Sequence, residues 1–397
     1  MSNNEKYSYS SKEEYSKINK IIVSKQQKEH EKKQNHIYYT INVYYYEEYE
    51  MYYLEIPKSY LDKINQLRKN KEDIFAKGKI LTFTDKDNKK FYFDAVIDST
   101  EDIYAYLVPI KEKYRYSMDL ARKYIVNERT GDLTYIRMKD AIDEFMEGNC
   151  CSKNIEKYIL GKNVSYNSGY NKLKDIIDYN RYYSTYIRNF SGLTYNQSLQ
   201  IDKIFYNEMN TIRLNANFDN KIICLIIYAI YQTRKYIDDK ILICSSSNIV
   251  ADSISLELLN MKKYVYNLNL LRIYAKNQEI IKRNKKLNRI SFHKILKKKF
   301  NKKFYNIYEK KEWIINKHDI IISTCVNSYN DDIINYHFPF VIIIDANNAN
   351  ENECLIPLTL NSRHVVLISF GDNENDNDEI NLYKRMRHLY RGIHINI

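Results

Sequence analysis

Asp345 closes an unbroken apolar run, Phe340 to Ile344, and it is the side chain in this sequence whose position most openly suggests chemistry. In a nucleotide-binding α/β domain, an aspartate at the carboxyl end of a buried strand holds Mg²⁺ against the phosphates. An ATPase should carry an acid or another catalytic group just beyond it. This chain has Ala346, Asn347 and Asn348 there instead. A second chemical feature is cationic. Lys282–Phe304 carries Lys282, Arg283, Lys285, Lys286, Arg289, Lys297, Lys298 and Lys299 among its basic residues and contains no acid. The whole chain has 62 basic and 50 acidic residues, so this one segment nearly accounts for the net charge of +12. Such a run is either a solvated helix face or loop, or a contact for nucleic acid or another polyanion. The six cysteines form no CxxC pair and have no matched histidine spacing, so they support neither a zinc site nor a disulfide framework. Scattered thiols fit a reducing compartment.

The elements that must position these residues fall into two parts. From Ser11 to about Asn35, strong helix formers of mixed charge with few apolar residues predict a long, largely exposed stalk helix. Ile37–Pro57, Lys79–Phe83, Phe91–Ile97 and Ile103–Val108 are rich in Tyr, Ile and Val at short spacing, with turns such as DKDN between them. They predict a small antiparallel sheet or barrel over residues 37–110. Helices are expected at Tyr135–Phe145 and Asn154–Ile159, with Gly148 and Gly161 as stops. Beyond Gly192, the strand-like runs TIRL, KILICS, DIIIST, FVIIID and VVLIS alternate with helical segments, the pattern of a doubly wound α/β domain with a parallel sheet. The expected division is therefore 1–36 polar N-terminus and stalk, 37–110 barrel, 111–190 helical return and linker, and 191–397 α/β domain. Forty tyrosines and only four prolines indicate a compositional drift that lowers the signal of any single Tyr, Asn or Lys. The N-terminus lacks an apolar signal region, and no run approaches the roughly 20 residues of a membrane span. A soluble, cytoplasmic protein is expected.

In order and spacing, the motifs resemble the first RecA-like domain of the up-frameshift RNA helicases, the superfamily-one group that serves nonsense-mediated decay. LTYNQSLQ places Gln197 where the family contacts adenine. KILICSSSNIVAD, with Ser247 and Asn248, is similar to the strand and loop that grip the nucleic-acid backbone. LNLLRIYAK looks like the next strand, DIIISTCV with Thr324 like the later one, and ECLIPLTL like the text after the family's DE box. The stalk, the barrel-like region and KYILGKNV follow the family's order upstream. The resemblance implies a P-loop NTPase-like fold, RNA as partner and proteins of the RNA-decay machinery as further partners.

Departures from the family's pattern decide the expected activity. A P-loop needs glycines, because its backbone N–H groups converge on phosphate in conformations that a Cβ forbids, followed by Lys and by Ser or Thr. Between Gly192 and Gly371 there is no glycine. At the corresponding place, LNANFDNKI, Lys221 precedes Ile222, and Asp219 would repel a triphosphate. Ala346 stands where the family has its catalytic glutamate, and loss of a positioned base costs roughly 100- to 10,000-fold in rate. GDNEND at Gly371–Asp376 has Asn375 in place of the sensor glutamine. The expectation is a degenerate relative, cut after its first RecA-like domain, without ATPase or unwinding activity and needing no cofactor, acting as an RNA-binding or protein-interaction module. Two alternatives stay open: residual binding of ATP and Mg²⁺ completed by a second lobe elsewhere, and a purely structural docking platform. For Ser247 and Asn248, the alternative to RNA contact is simple capping of the helix that follows.

Overall fold

A computed structural model describes residues 8–32, 39–46, 51–62, 75, 79–87, 92–109, 123–128, 132–164, 174–177, 194–214, 220–261, 268–275, 284–298, 307–370, 381–390 and 394–396. The chain divides into two compact units. One comprises Met1–Ser24, Ile136–Tyr274 and Lys282–Ile397, and the other Lys25–Tyr135 with Ala275–Ile281.

Helix α1 (Lys12–Lys32) buries Tyr15, Asn19 and Val23, spaced four apart, and leaves most other positions to solvent, as a stalk should. The smaller unit is a closed antiparallel barrel of β1 (Tyr39–Tyr46), β2 (Met51–Glu55), β3 (Ile80–Asp85), β4 (Tyr92–Glu101), β5 (Tyr104–Pro109) and β6 (Lys123–Glu128), with the short helix α2 (Lys58–Leu61) after β2. Around the barrel the strand order is β1-β2-β5-β4-β3-β6, and β6 pairs back onto β1. Alternation sets the inside: Tyr52 and Leu54 of β2, Leu81 and Phe83 of β3, and Ala105 and Leu107 of β5 are buried, whereas Tyr53, Glu55 and Tyr104 are not. Phe83 and Phe93 stack at 4.8 Å in the centre. The closing strand β6 lies beyond the region read as barrel from sequence.

Helices α3 (Asp132–Glu147) and α4 (Lys153–Leu160) follow. Gly148 and Gly161 adopt φ of 85° and 71°, the left-handed stops expected of them. Next come α5 (Tyr195–Asp202), β7 (Met209–Leu214), α6 (Asn220–Thr233), β8 (Ile241–Ser245), α7 (Asn248–Met261) and β9 (Leu270–Arg272). After these the chain forms α8 (Phe292–Lys298), α9 (Ile307–Asn316), β10 (Ile320–Thr324), β11 (Phe340–Ile344), α10 (Glu351–Leu358), β12 (His364–Phe370), α11 (Leu382–Leu389) and β13 (His394–Asn396). The strands form one parallel sheet in the order β13-β7-β12-β11-β8-β10-β9. Every residue of β8 and β11 is buried, because helices cover both faces, and this is why those strands read as continuous apolar runs. The sheet is P-loop NTPase-like and RecA-like, preceded by a helical stalk and a small antiparallel barrel, as the sequence led us to expect.

Two buried polar anchors hold this unit together. Arg385 of α11 is 2% exposed and pairs with Glu351 at the start of α10 through Nε to Oε2 at 3.0 Å and Nη2 to Oε1 at 2.7 Å. Arg385 Nη2 also donates to the Ile159 carbonyl of α4. The second anchor is His364 at the start of β12. Its Nε2 donates to the Ile204 carbonyl at 2.7 Å, while buried Nδ1 has no hydrogen-bond partner among the described residues. Burial pushes its pKa down to about 4 from an ordinary 6.5. A base whose folded value lies below its free value binds fewer protons folded than unfolded. Stability is therefore greatest above about pH 6.5 and falls as the pH drops toward 4, by up to about 3 kcal/mol. In His364→Gln the amide can still donate to Ile204 and nothing titrates, so denaturant unfolding at pH 7 and pH 5 should show a smaller acid loss than in the native chain. An identical loss in both proteins would remove His364 as the responsible group.

Candidate nucleotide and nucleic-acid interface

Parallel register aligns Ser245, Thr324 and Ile344 at the carboxyl edge of the sheet. The segments leaving β8, β10 and β11 therefore emerge side by side, where open α/β sheets bind ligands. Each is shaped by its own polar side chains.

After β8, Ser245 Oγ donates to the Ser247 carbonyl at 2.6 Å, and Ser247 Oγ accepts from Val250 N at 3.3 Å as the cap of α7. Asn248 does something else. Its Oδ1 accepts from Arg272 Nη2 at 2.7 Å, which leaves the amide nitrogen as its hydrogen-bearing end. Arg272 is fully buried at the end of β9. Its Nε donates to Asp252 Oδ1 at 2.9 Å and its Nη1 to the Ile273 carbonyl at 2.7 Å, and the guanidinium lies 4.1 Å from the Tyr274 ring centre. The Tyr274 hydroxyl donates to the same Asp252 oxygen at 2.9 Å. Through its backbone, Arg272 N also donates to the Ile290 carbonyl at 2.7 Å. One buried cation thus ties the Asn248 loop to the basic segment.

That segment is an anchored element over residues 284–298. Lys285, Lys286 and Arg289 are exposed on a 3₁₀ turn, Lys285–Arg289, while Leu287, Ile290, Phe292 and Ile295 are buried beneath it. Lys297 is exposed on α8. Lys298 lies on the same helix, but its side chain falls outside the described residues, as do Lys282, Arg283 and Lys299 altogether.

After β10, Thr324 Oγ1 accepts from Asn327 N at 3.4 Å and so fastens the following turn. Beyond β11, Asp345 takes a left-handed φ of 62°, and its Oδ1 accepts from Asn348 Nδ2 at 2.8 Å. Asx side chains tolerate this conformation better than other residues, so the tight turn itself favours Asp here. Ala346 is fully buried, and its N–H donates to the Ile368 carbonyl at 2.9 Å. The Asn347 carbonyl accepts from Asn381 Nδ2 at 2.7 Å. A capping box between Asn350 and Glu353 then starts α10. Asp345 keeps a carboxylate at the strand end, but the next position holds a methyl sealed from water.

Gln197 lies on α5, as expected, with its side chain outside the described residues. Lys221 is exposed in the first turn of α6, and Ile222 behind it is buried. Residues 215–219 and the 371–380 segment fall outside the described residues. Among the described residues no three His, Cys, Asp or Glu side chains are arranged to hold a metal ion, and no helix is long and apolar enough to cross a membrane. Sequence reasoning did not single out Arg272 or Asp252 as a pair, although a lone arginine inside the apolar run LNLLRIY was the available signal.

A family model described as an AAA domain matches residues 278–374. The chain is 24% identical over 263 residues to the ATP-dependent helicase NAM7 of Saccharomyces cerevisiae, covering 61% of this chain and 25% of that protein. It is 24% identical to the regulator of nonsense transcripts 1 of Dictyostelium discoideum, over 47% of this chain and 15% of that one. To the ATP-dependent helicase upf1 of Schizosaccharomyces pombe it is 28% identical over 157 residues, 34% of this chain and 16% of the relative. The chain thus spans a quarter or less of the length of these curated relatives.

Proposed function

We propose that this chain, a relative of the UPF1-type superfamily-one helicases, works as an RNA-binding module without ATPase or unwinding activity, acting in cytoplasmic RNA metabolism alongside proteins of the decay machinery. The observation that carries the reading is a contrast along one sheet edge. The loop with Ser247 and Asn248 is braced by Arg272 against a basic turn, whereas the position after Asp345 is a sealed methyl. Hydroxyl and amide donors at a helix N-terminus suit phosphate oxygens, and Lys285, Lys286, Arg289 and Lys297 offer neutralising charge on the segment that Arg272 ties to that loop. Acceleration of phosphoryl transfer rests on positioning and electrostatic stabilisation by a phosphate cradle, a metal and a water-positioning group. With Lys221 followed by Ile222 and no glycine from 193 to 370, little of that is encoded.

Two measurements test the reading. A fluorescent ATP analogue with Mg²⁺ should show no saturable binding, and micromolar affinity abolished by Asp345→Ala would overturn the loss of nucleotide chemistry. Single-stranded RNA should bind at low salt, with affinity falling steeply as salt rises. Lys285→Gln, Lys286→Gln and Lys297→Gln together should lower the slope of log K against log salt by about 2, given about 0.7 per phosphate contact on a single strand. No RNA binding at low salt would leave a docking platform as the function.

A further inference from the structure

We propose that the outer face of β1, β2 and β5 on the barrel docks an extended, arginine-bearing segment of a partner protein, a function independent of the sheet edge. Strand alternation turns Tyr44, Tyr53, Tyr104 and Tyr106 outward, while Val43, Leu54, Ala105 and Leu107 beside them fill the barrel. Register sets the outward rings side by side, with Tyr53 opposite Tyr44 on one neighbouring strand and opposite Tyr106 on the other. The rings also meet. Tyr53 is stacked on Tyr44 at 5.2 Å, edge-on to Tyr104 at 5.7 Å and tilted against Tyr106 at 6.2 Å. Asn42 Nδ2 donates to the Tyr44 hydroxyl at 3.5 Å. Both ends of the patch reach water, at 38% exposure for Tyr44 and 39% for Tyr104. Compositional drift accounts for a tyrosine anywhere, but not for one ring touching three others on a single outward face.

Charge selects the occupant. Tyr104 stands directly opposite Glu55 of β2 and opposite Glu101 of β4, and both carboxylates are exposed. Asp102, exposed with a left-handed φ of 49°, adds a third carboxylate in the turn between β4 and β5. Among the described residues no ion pair engages Glu55 or Glu101. Lys123 stands on β6, on the far side of β1 from them. A cation laid on the Tyr104 ring gains from the negative face of the ring and from a carboxylate on either flank, since side chains directly opposed across strands stand about 5 Å apart. Arginine suits this arrangement better than lysine, because its planar guanidinium stacks on an aromatic ring and forks to a carboxylate at once. The same acids repel phosphate, which sets this face apart from the basic turn proposed for RNA. Tyrosines, apolar in body and polar at the tip, are frequent anchors of protein interfaces.

The test uses the full chain and a fluorescein-labelled peptide of about nine residues in which arginine alternates with glycine, since an extended chain points every second side chain the same way. Fluorescence anisotropy should show saturable binding that weakens as salt rises. The same peptide with lysine in place of arginine should bind more weakly. Tyr104→Ala should reduce affinity for the arginine peptide by roughly 10-fold, whereas Tyr104→Phe, which keeps the ring, should retain most of it. Glu55→Gln together with Glu101→Gln should also cost roughly 10-fold. In the unmutated chain, adding the peptide should slow hydrogen–deuterium exchange in β2 and β5, an arm that does not depend on any variant folding. Binding undiminished in Tyr104→Ala and in the double glutamine variant, or no slowing in those strands, would overturn the site. Equal binding of the two peptides would overturn the choice of arginine. RNA affinity lost in Tyr104→Ala, or self-association abolished by it, would assign the face to RNA or to a second copy of this chain and overturn the proposal as well.

Discussion

Arg385→Ala should destabilise the α/β unit by about 3–5 kcal/mol, because it leaves the Glu351 carboxylate buried without its counter-charge. Glu351 is 8% exposed and receives both forks of the guanidinium. Burial works against the arginine's charge, yet the Glu351 carboxylate outweighs it and holds the Arg385 pKa above its ordinary value. Urea unfolding of Arg385→Ala, Glu351→Ala and the double variant forms the cycle that checks this. The double loss should be clearly less than the sum of the single losses, since the second substitution removes a charge already stranded. Arg385→Met with Glu351→Leu should recover much of the stability, as apolar replacements of buried pairs often do. A single-variant loss below about 1 kcal/mol would place the pair among screened surface contacts.

Arg272→Ala should cost about 3 kcal/mol, at the lower end of that range because its partner Asp252 is 19% exposed and partly rescued by water. The more informative variant is Arg272→Lys. It keeps a charge beside Asp252, but a single ammonium cannot reproduce the fork that reaches Asp252 and Asn248 at once. Most of the stability should remain, while the Asn248 amide loses the bond that fixes its orientation. RNA affinity should then fall while the salt slope is unchanged, because no phosphate-neutralising side chain is removed. A variant that binds RNA like the native chain would detach Asn248 from the RNA-binding reading.

The parallel sheet was legible because strands buried on both faces must be apolar along nearly their whole length, as Ile241–Cys244 of β8 and Phe340–Ile344 of β11 are. Short or edge elements were not. The three-residue β13 and the barrel-closing β6, KYIVNE, take their definition from their partners rather than from a pattern of their own. The strand-end carboxylate could be placed from sequence, but its hydrogen bond to Asn348 and the burial of Ala346 depend on a backbone turn that composition does not encode. Among the basic residues of LYKRMRHL, only helical phase against α4 and α10 selects Arg385 as the buried one. The same holds for Arg272, whose partners lie 20 and 24 residues away.

Arg385 also bears on the order in which the protein is made. Its guanidinium lies 5.0 Å from the Tyr9 ring centre, and Tyr9 N donates to the Leu160 carbonyl at 2.9 Å. Chains fold domain by domain as they leave the ribosome. The barrel strands between Tyr39 and Glu128 are contiguous and can pair early in synthesis. The segment around Tyr9 is made before the barrel but must wait for α11, translated more than 370 residues later, before Arg385 can lie beside the Tyr9 ring. Until then Tyr15 can already pack against the Phe145 ring of α3, at 5.1 Å, while the Tyr9 ring still lacks its cation, so the two contacts of one short segment form at widely separated times.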